Sequence, residues 1–283
     1  MKSIGLVTSA VWSDADGDGW LDLLVALEWG PVRFLQNQNG KLVDRTDAAG
    51  LSDALGWWNS ITPGDVDHDG DMDFVVMNTG LNTKYHADDK HPVTLFAKDF
   101  DSNGRIDLVE SEWEDDKCFP IRGKSCSTHA MPMISEKFPT YHEFALAELG
   151  DIYGEDLDAA KKFTATRLDS VVLVNDGKGS FEINPLPRLA QISPGFGTAI
   201  TDFDGDGMND LLIGQNFMHP QPETGQMDGG LGLLLKGDGA GTFESVGPIE
   251  SGVSIPGQAM AVSVTDINAD AVSYTHLTLP TKA

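Results

Sequence analysis

Four stretches of this 283-residue chain crowd acidic side chains at one fixed spacing. The first holds Asp14, Asp16, Asp18 and Asp22, and the second Asp65, Asp67, Asp69 and Asp73. The third holds Asp99, Asp101, Asn103 and Asp107, and the fourth Asp202, Asp204, Asp206 and Asp210. A fifth copy, Asp266, Asn268 and Asp270, begins the same way and then lacks both the glycine and the last aspartate. The shared rule is D-x-D/N-x-D/N-G-x-x-D, followed by a β-rich apolar run. That pattern suits oxygen coordination of a hard cation, above all calcium, which takes roughly 6–8 oxygen ligands. Positions 1, 3 and 5 of a tight loop can point inward together. Glycine at position 6 permits the sharp turn, and position 7 (Trp20, Asp71, Arg105, Met208) can offer a backbone carbonyl. Position 9 returns a carboxylate from the start of the next strand. Without a cation these carboxylates would repel one another.

Of 44 acidic residues, 18 lie in the five loops; without them the formal charge of −25 becomes −7. The acidity therefore belongs to the loops, and solvated acidic turns are a poor explanation for five matches to one ligand geometry. An EF-hand would need glutamate at position 12 and flanking helices. Position 12 is Val25, Val76 and Ile213 in three loops, and the third loop, with Glu110 there, has flanks that read as strands.

The elements that position the loops read as β-structure. DLLVA, DFVVM and DLLIG are short apolar runs of strand length. Residues 34–46, 171–183 and 236–246 read as hairpins with Asn/Gly turns. A loop leading into such a strand, with such a hairpin after it, resembles the FG-GAP (VCBS) repeat of integrin-like, calcium-binding β-propellers. EWGPVRFLQN, the stretch from GWWNS to NTKY, and SPGFGTAITDFDGDG are similar to a bacterial branch of that family. The resemblance covers most of residues 1–270. It implies an all-β propeller in which each loop joins the first two strands of a blade, several structural calcium ions, and export or surface attachment.

The loops start at residues 14, 65, 99, 202 and 266, an uneven ladder. This reads as blades over 1–116, a helical insertion over 117–166 and further blades over 167–270. Five loop-bearing units fall short of a closed ring, so the chain reads as a piece of a larger propeller. In the insertion, TYHE (140–143) predicts a helix capping box, with Tyr141, Phe144, Ala145, Leu149 and Ile152 along one face. GEDLDAAKKFTAT predicts a second helix with Leu157, Ala160 and Phe163 inward. Cys118 and Cys126 favour a local disulfide in an exported protein. Free thiols, or a zinc site with His129 and His142, are the alternatives. The end, AVSYTHLTLPTKA, breaks the repeat and reads as a non-native tail over 271–283, although THLTL alternates as a strand would.

The charge argues against nucleic acid as a partner. No apolar run is long enough for a membrane helix, and the start has no signal-peptide core. The protein is therefore read either as cytosolic or, by the resemblance, as extracellular, cell-surface or periplasmic with its leader outside this sequence. No nucleophile elbow, zinc-protease motif or dinucleotide fingerprint is present. The seven histidines are scattered; His68 sits at position 4 of a loop, and His86 and His91 lie in a polar stretch. Of the adjacent Trp57 and Trp58, at least one is expected in the core, because neighbours on a strand face opposite ways. The favoured function is a calcium-stabilised binding or scaffold module for a protein or glycan ligand. The alternative is the propeller domain of a carbohydrate lyase or hydrolase.

Overall fold

The computed structural model describes residues 4–221 and 224–265, and the backbone of 274–278. The fold is all-β and propeller-like: successive antiparallel sheets, with a few short helices. The chain divides into two compact units, one joining Met1–Lys84 to Leu168–Ala283 and the other Tyr85–Arg167.

The first unit opens with β1 (Leu6–Ser13), β2 (Asp22–Gly30), β3 (Arg33–Gln38) and β4 (Lys41–Asp44), paired in that order, with β5 (Gly56–Trp57) added to β2. The turn between β3 and β4 places Asn39 at φ 54° and Gly40 at φ 87°. Two left-handed residues in a two-residue turn match the right-handed twist of the strands. Next come β6 (Ser60–Gly64) and β7 (Asp73–Met77).

The chain then enters the second unit. Its strands are β8 (Val93–Lys98), β9 (Asp107–Glu114) and β10 (Lys117–Pro120). Helices α1 (Lys124–Ala130), α2 (Met133–Lys137), α3 (Tyr141–Leu146), α4 (Leu149–Tyr153) and α5 (Asp156–Ala159) follow, and β11 (Lys161–Ala165) closes the unit. The sheet order is β10-β9-β8-β11. Phe96, Phe100, Val109, Met131, Ile134, Phe144, Leu149, Ile152 and Tyr153 form its core.

Back in the first unit, β12 (Val171–Asn175) and β13 (Phe181–Pro185) complete the sheet begun by β6 and β7, giving the order β13-β12-β7-β6. A third sheet runs β14 (Gly195–Thr201), β15 (Asp210–Gln215), β16 (Leu233–Gly237), β17 (Phe243–Val246). After α6 (Pro248–Ser251), β18 (Ala261–Thr265) pairs with β19 (Tyr274–Thr278).

The second strand of each sheet explains the stacking. Every residue of β7 is buried, and its side chains alternate between two cores. Phe74 and Val76 join Leu24, Ala26, Val171 and Leu173 in one cluster. Val75 and Met77 join Val172, Leu211, Ile213 and Leu235 in the other. A strand apolar on both sides is thus sandwiched between the sheets before and after it. Thr62 and Thr198 hydroxyls, 2.5 Å apart, tie β6 to β14.

Several expectations are revised. The second unit contains the expected 117–166 insertion but begins at Tyr85, so it also takes in the third acidic loop. With residues 85–167 set aside, 83 in all, the step from Asp65 to Asp202 falls from 137 to 54, close to the first step of 51. The predicted capping box is present, Thr140 and Glu143 each accepting from the other's backbone N–H. The helix it starts ends at Leu146, however, and α4 begins afresh with a second box between Glu148 and Asp151. Phe144, Leu149 and Ile152 point inward, whereas Tyr141 and Ala145 are exposed. The second predicted helix is cut to Asp156–Ala159; Lys161–Ala165 is instead a strand on the free edge of β8, with Phe163 opposite Leu95. Leu157 and Ala160 do pack on the core. Pairing with the β8 edge over a five-residue register satisfies backbone groups of both strands, which outweighs the weak helix propensity of KKFTA. Cys118 and Cys126 form no disulfide with each other, and burial pushes the Cys118 thiol up. Trp58 is fully buried and Trp57 stacks on Trp29 at 4.7 Å, so the two neighbours do part. The fifth loop, 266–270, and all of the tail except the backbone of 274–278 lie outside the described residues.

Candidate metal centres

Each of the four described acidic loops joins two antiparallel strands: β1 to β2, β6 to β7, β14 to β15 in the first unit, and β8 to β9 in the second. Neither flank of the third loop is a helix, so the EF-hand reading fails there on geometry. The position 6 glycines, Gly19, Gly70, Gly104 and Gly207, have φ between 86° and 96°. An L side chain is strained there. Position 4 is also left-handed, at Gly17, His68, Ser102 and Gly205 with φ from 59° to 81°. His68 is thus a turn residue, as its non-ligand position implies.

Position 9 has a defined structural task. Asp22 is fully buried; its Oδ2 accepts from the Ala15 amide at 3.0 Å and its Oδ1 from Asn37 at 2.7 Å. Asp73 repeats this with Val66 and Asn175, both at 2.8 Å. Asp210 repeats it with Phe203 at 2.9 Å and Gly237 at 3.0 Å. One carboxylate therefore pins the second residue of its own loop to the C-terminal end of the sheet's third strand, at the last residue in two sheets and the last but one in the first. In the second unit, Asp107 accepts from Phe100 at 3.1 Å.

Burial works against these charges. It pushes Asp73 up to about 6, helped by the Asp67 and Asp69 charges and opposed by the two amide bonds. It also raises Asp22 and Asp107, with nearby loop aspartates adding to the effect. Asp67 is raised by burial and by Asp69 and Asp65.

The remaining loop carboxylates converge. One oxygen each from Asp14, Asp16 and Asp18 lies within 4.8 Å of the others. The same holds for Asp65, Asp67 and Asp73, for Asp99, Asp101 and Asp107, and for Asp202, Asp204 and Asp206. Positions 1, 3 and 5 thus gather in the first and fourth loops, and positions 1, 3 and 9 in the second and third. In all four loops the position 5 side chain also accepts from the amide two residues on: Asp18 from Trp20, Asp69 from Asp71, Asn103 from Arg105 and Asp206 from Met208. No Cys–His group gathers in this way among the described residues, so the zinc alternative finds no support.

An all-oxygen, all-acidic donor set fits a hard divalent cation. One orphaned atom agrees: Asp65 Oδ1 is buried and has no hydrogen-bond partner, a costly state for a carboxylate. The loops also stitch neighbouring sheets. Asn175 Nδ2 donates to the Ala15 carbonyl at 2.8 Å, and Asn209 Nδ2 to the Asp65 carbonyl at 2.7 Å.

The third-strand partners were not singled out from sequence. Their signal is a strand-end residue one or two places before an Asx-Gly turn: Asn37, Asn175 and Gly237 precede QNG, DG and DG.

Comparison with known proteins agrees with this architecture. Residues 14–76, spanning the first two loops, match the FG-GAP-like repeat family. Cartilage acidic protein 1 of Mus musculus is 26% identical over 223 residues, covering 78% of this chain and 29% of the relative. The chain therefore spans less than a third of that relative's length. No described helix is long and apolar enough to cross a membrane.

Proposed function

We propose that this chain is a calcium-stabilised propeller module that works outside the cytosol, secreted or at a cell surface, and binds a protein or glycan ligand. The observation that carries this is the shared loop geometry. Four loops gather carboxylate oxygens within 4.8 Å, and in three of them the position 9 aspartate ties the loop to the sheet's third strand. Asp14, Asp16 and Asp18, then Asp65, Asp67 and Asp73, then Asp99, Asp101 and Asp107, then Asp202, Asp204 and Asp206 would hold the ions. The remaining aspartates of the pattern and Asn103 would support them. A bound calcium ion supplies positive charge that offsets the repulsion among these groups. The chain's own carboxylates then hold the turns from which buried strands depart.

The reading of compartment follows from chemistry. Small open loops of this kind suit the roughly millimolar calcium outside cells. At about 100 times the dissociation constant, each ion would add about 2.7 kcal/mol to stability. The repeat matched at residues 14–76 supports a binding or scaffold role at the level of the family, and a relative named as an acidic protein of cartilage fits an extracellular setting.

Calorimetric titration with calcium and with magnesium tests the metal assignment. Calcium binding at several sites, with much weaker magnesium binding, is expected. Absence of calcium binding would overturn it. Glycan and protein arrays probed with and without calcium test the ligand assignment; a calcium-dependent hit is expected, and none on either array would count against a binding module.

A further inference from the structure

Three loops of the first unit, among the described residues, share one neighbour position, and its chemistry differs in each. The amides that hold the position 9 aspartates belong to Asn37, Asn175 and Gly237. The residue just before each is Gln36, Val174 and Lys236. Gln36 Nε2 donates to Asp16 Oδ2, at loop position 3. Lys236 Nζ pairs with Asp204 Oδ2, also position 3, and with Asp206 Oδ2 at 2.9 Å. Val174 occupies the same place without a polar atom: a Cβ built on Gly241 would lie 3.5 Å from Val174 Cγ2 and 3.7 Å from the Asp67 Cβ. In that loop the position 1 carboxylate keeps a buried oxygen without a partner.

We propose that this third-strand residue grades the loops by cation affinity, and that Lys236 makes the 202–210 loop the weakest and last filled of the three. The proposal rests on the calcium reading above. The Lys236 ammonium is a tethered counterion for two of the carboxylates an incoming ion needs. A divalent ion entering there must break both ion pairs or sit beside a like charge, and either weakens binding. Gln36 offers a neutral amide that gives way at smaller cost. Val174 offers nothing that competes, and it leaves the Asp65 loop with acceptor capacity unused. The chain would thus hold calcium firmly at 65–73, less so at 14–22, and at 202–210 only when calcium is plentiful.

Calcium chloride titration of the full chain by calorimetry, for wild type, Lys236→Gln, Lys236→Arg and Gln36→Lys, tests this. Gln36 is partly exposed and Lys236 exposed, so the variants are expected to fold. Lys236→Gln is expected to tighten the weakest class of sites by roughly three- to tenfold, the size expected for removing two exposed ion pairs, with stoichiometry unchanged. Lys236→Arg, which keeps the charge, is expected to stay within twofold of wild type. Gln36→Lys is expected to move one further site into the weak class. If wild type binds calcium and Lys236→Gln leaves every class within twofold, this proposal falls while the calcium reading stands. If wild type binds no calcium, both fall.

Discussion

The amide of Asn175 donates to Asp73 Oδ1 at 2.8 Å across 102 residues of chain. Between them lies the whole of Tyr85–Arg167. The bond joins the second and third strands of one sheet, where the other two complete sheets of the unit have a short connection or a single loop. The ends of the excursion also meet, the Gly80 amide donating to the Leu168 carbonyl at 2.8 Å and the Asn78 amide to Ser170 Oγ at 2.9 Å.

Excision follows from this closure. Replacing 85–167 by a short Gly/Ser linker is expected to leave a cooperative melt and one fewer calcium site. The long connection contributes only a slowly growing loop entropy. A non-cooperative melt of the excised chain would show that the first unit needs the second to fold.

Two aspartates of one loop should behave differently. Asp67 has one amide partner, from Asp69 at 3.2 Å, and is otherwise a candidate ligand. Asp67→Ala is expected to lower the melting temperature by about 5–10 °C in calcium and to leave it nearly unchanged in chelator, the size of one lost ion. Asp73 is buried with both oxygens bonded to amides. Asp73→Ala is expected to destabilise the protein by about 3 kcal/mol or more in both conditions, because two buried amides lose their acceptor. Thermal melts of the two variants with and without calcium separate these cases.

Asp73 also gives a pH signature. Burial raises its carboxyl from 3.8 to about 6, so the folded, calcium-free protein holds a proton that the unfolded chain has released. Stability from this group is full below about 3.8 and is lost as pH rises towards about 6. A cation among the same carboxylates favours the ionised form and should remove this loss. Carbon-detected NMR titration of the Asp73 carboxyl is expected to show a midpoint near 6 in chelator and one at least a unit lower in calcium. Equal midpoints would place the ion away from Asp73.

Much of this was legible beforehand because the loop chemistry is local. The D-x-D-x-D-G spacing located four turns, and the glycine at position 6 met its left-handed conformation in every one. The strand Asp73–Met77 was legible as an apolar run. What escaped was non-local. Nothing between Lys84 and Leu168 announces that a sheet has been left half built. The strand Lys161–Ala165 forms because β8 offers an edge, a fact about tertiary pairing that KKFTA does not carry by itself. The second task of Asp22, Asp73 and Asp210, gripping a third strand, depends on register and so became visible only when the sheets were assembled.

The central claim is that the acidic loops are calcium sites that hold the sheets. A thermal melt of the full chain in excess calcium and then in chelator tests it most directly. A calcium-dependent rise of ten degrees or more, reversed by chelator and much smaller with magnesium, is the predicted result. A cooperative melt at the same temperature in all three conditions would contradict it.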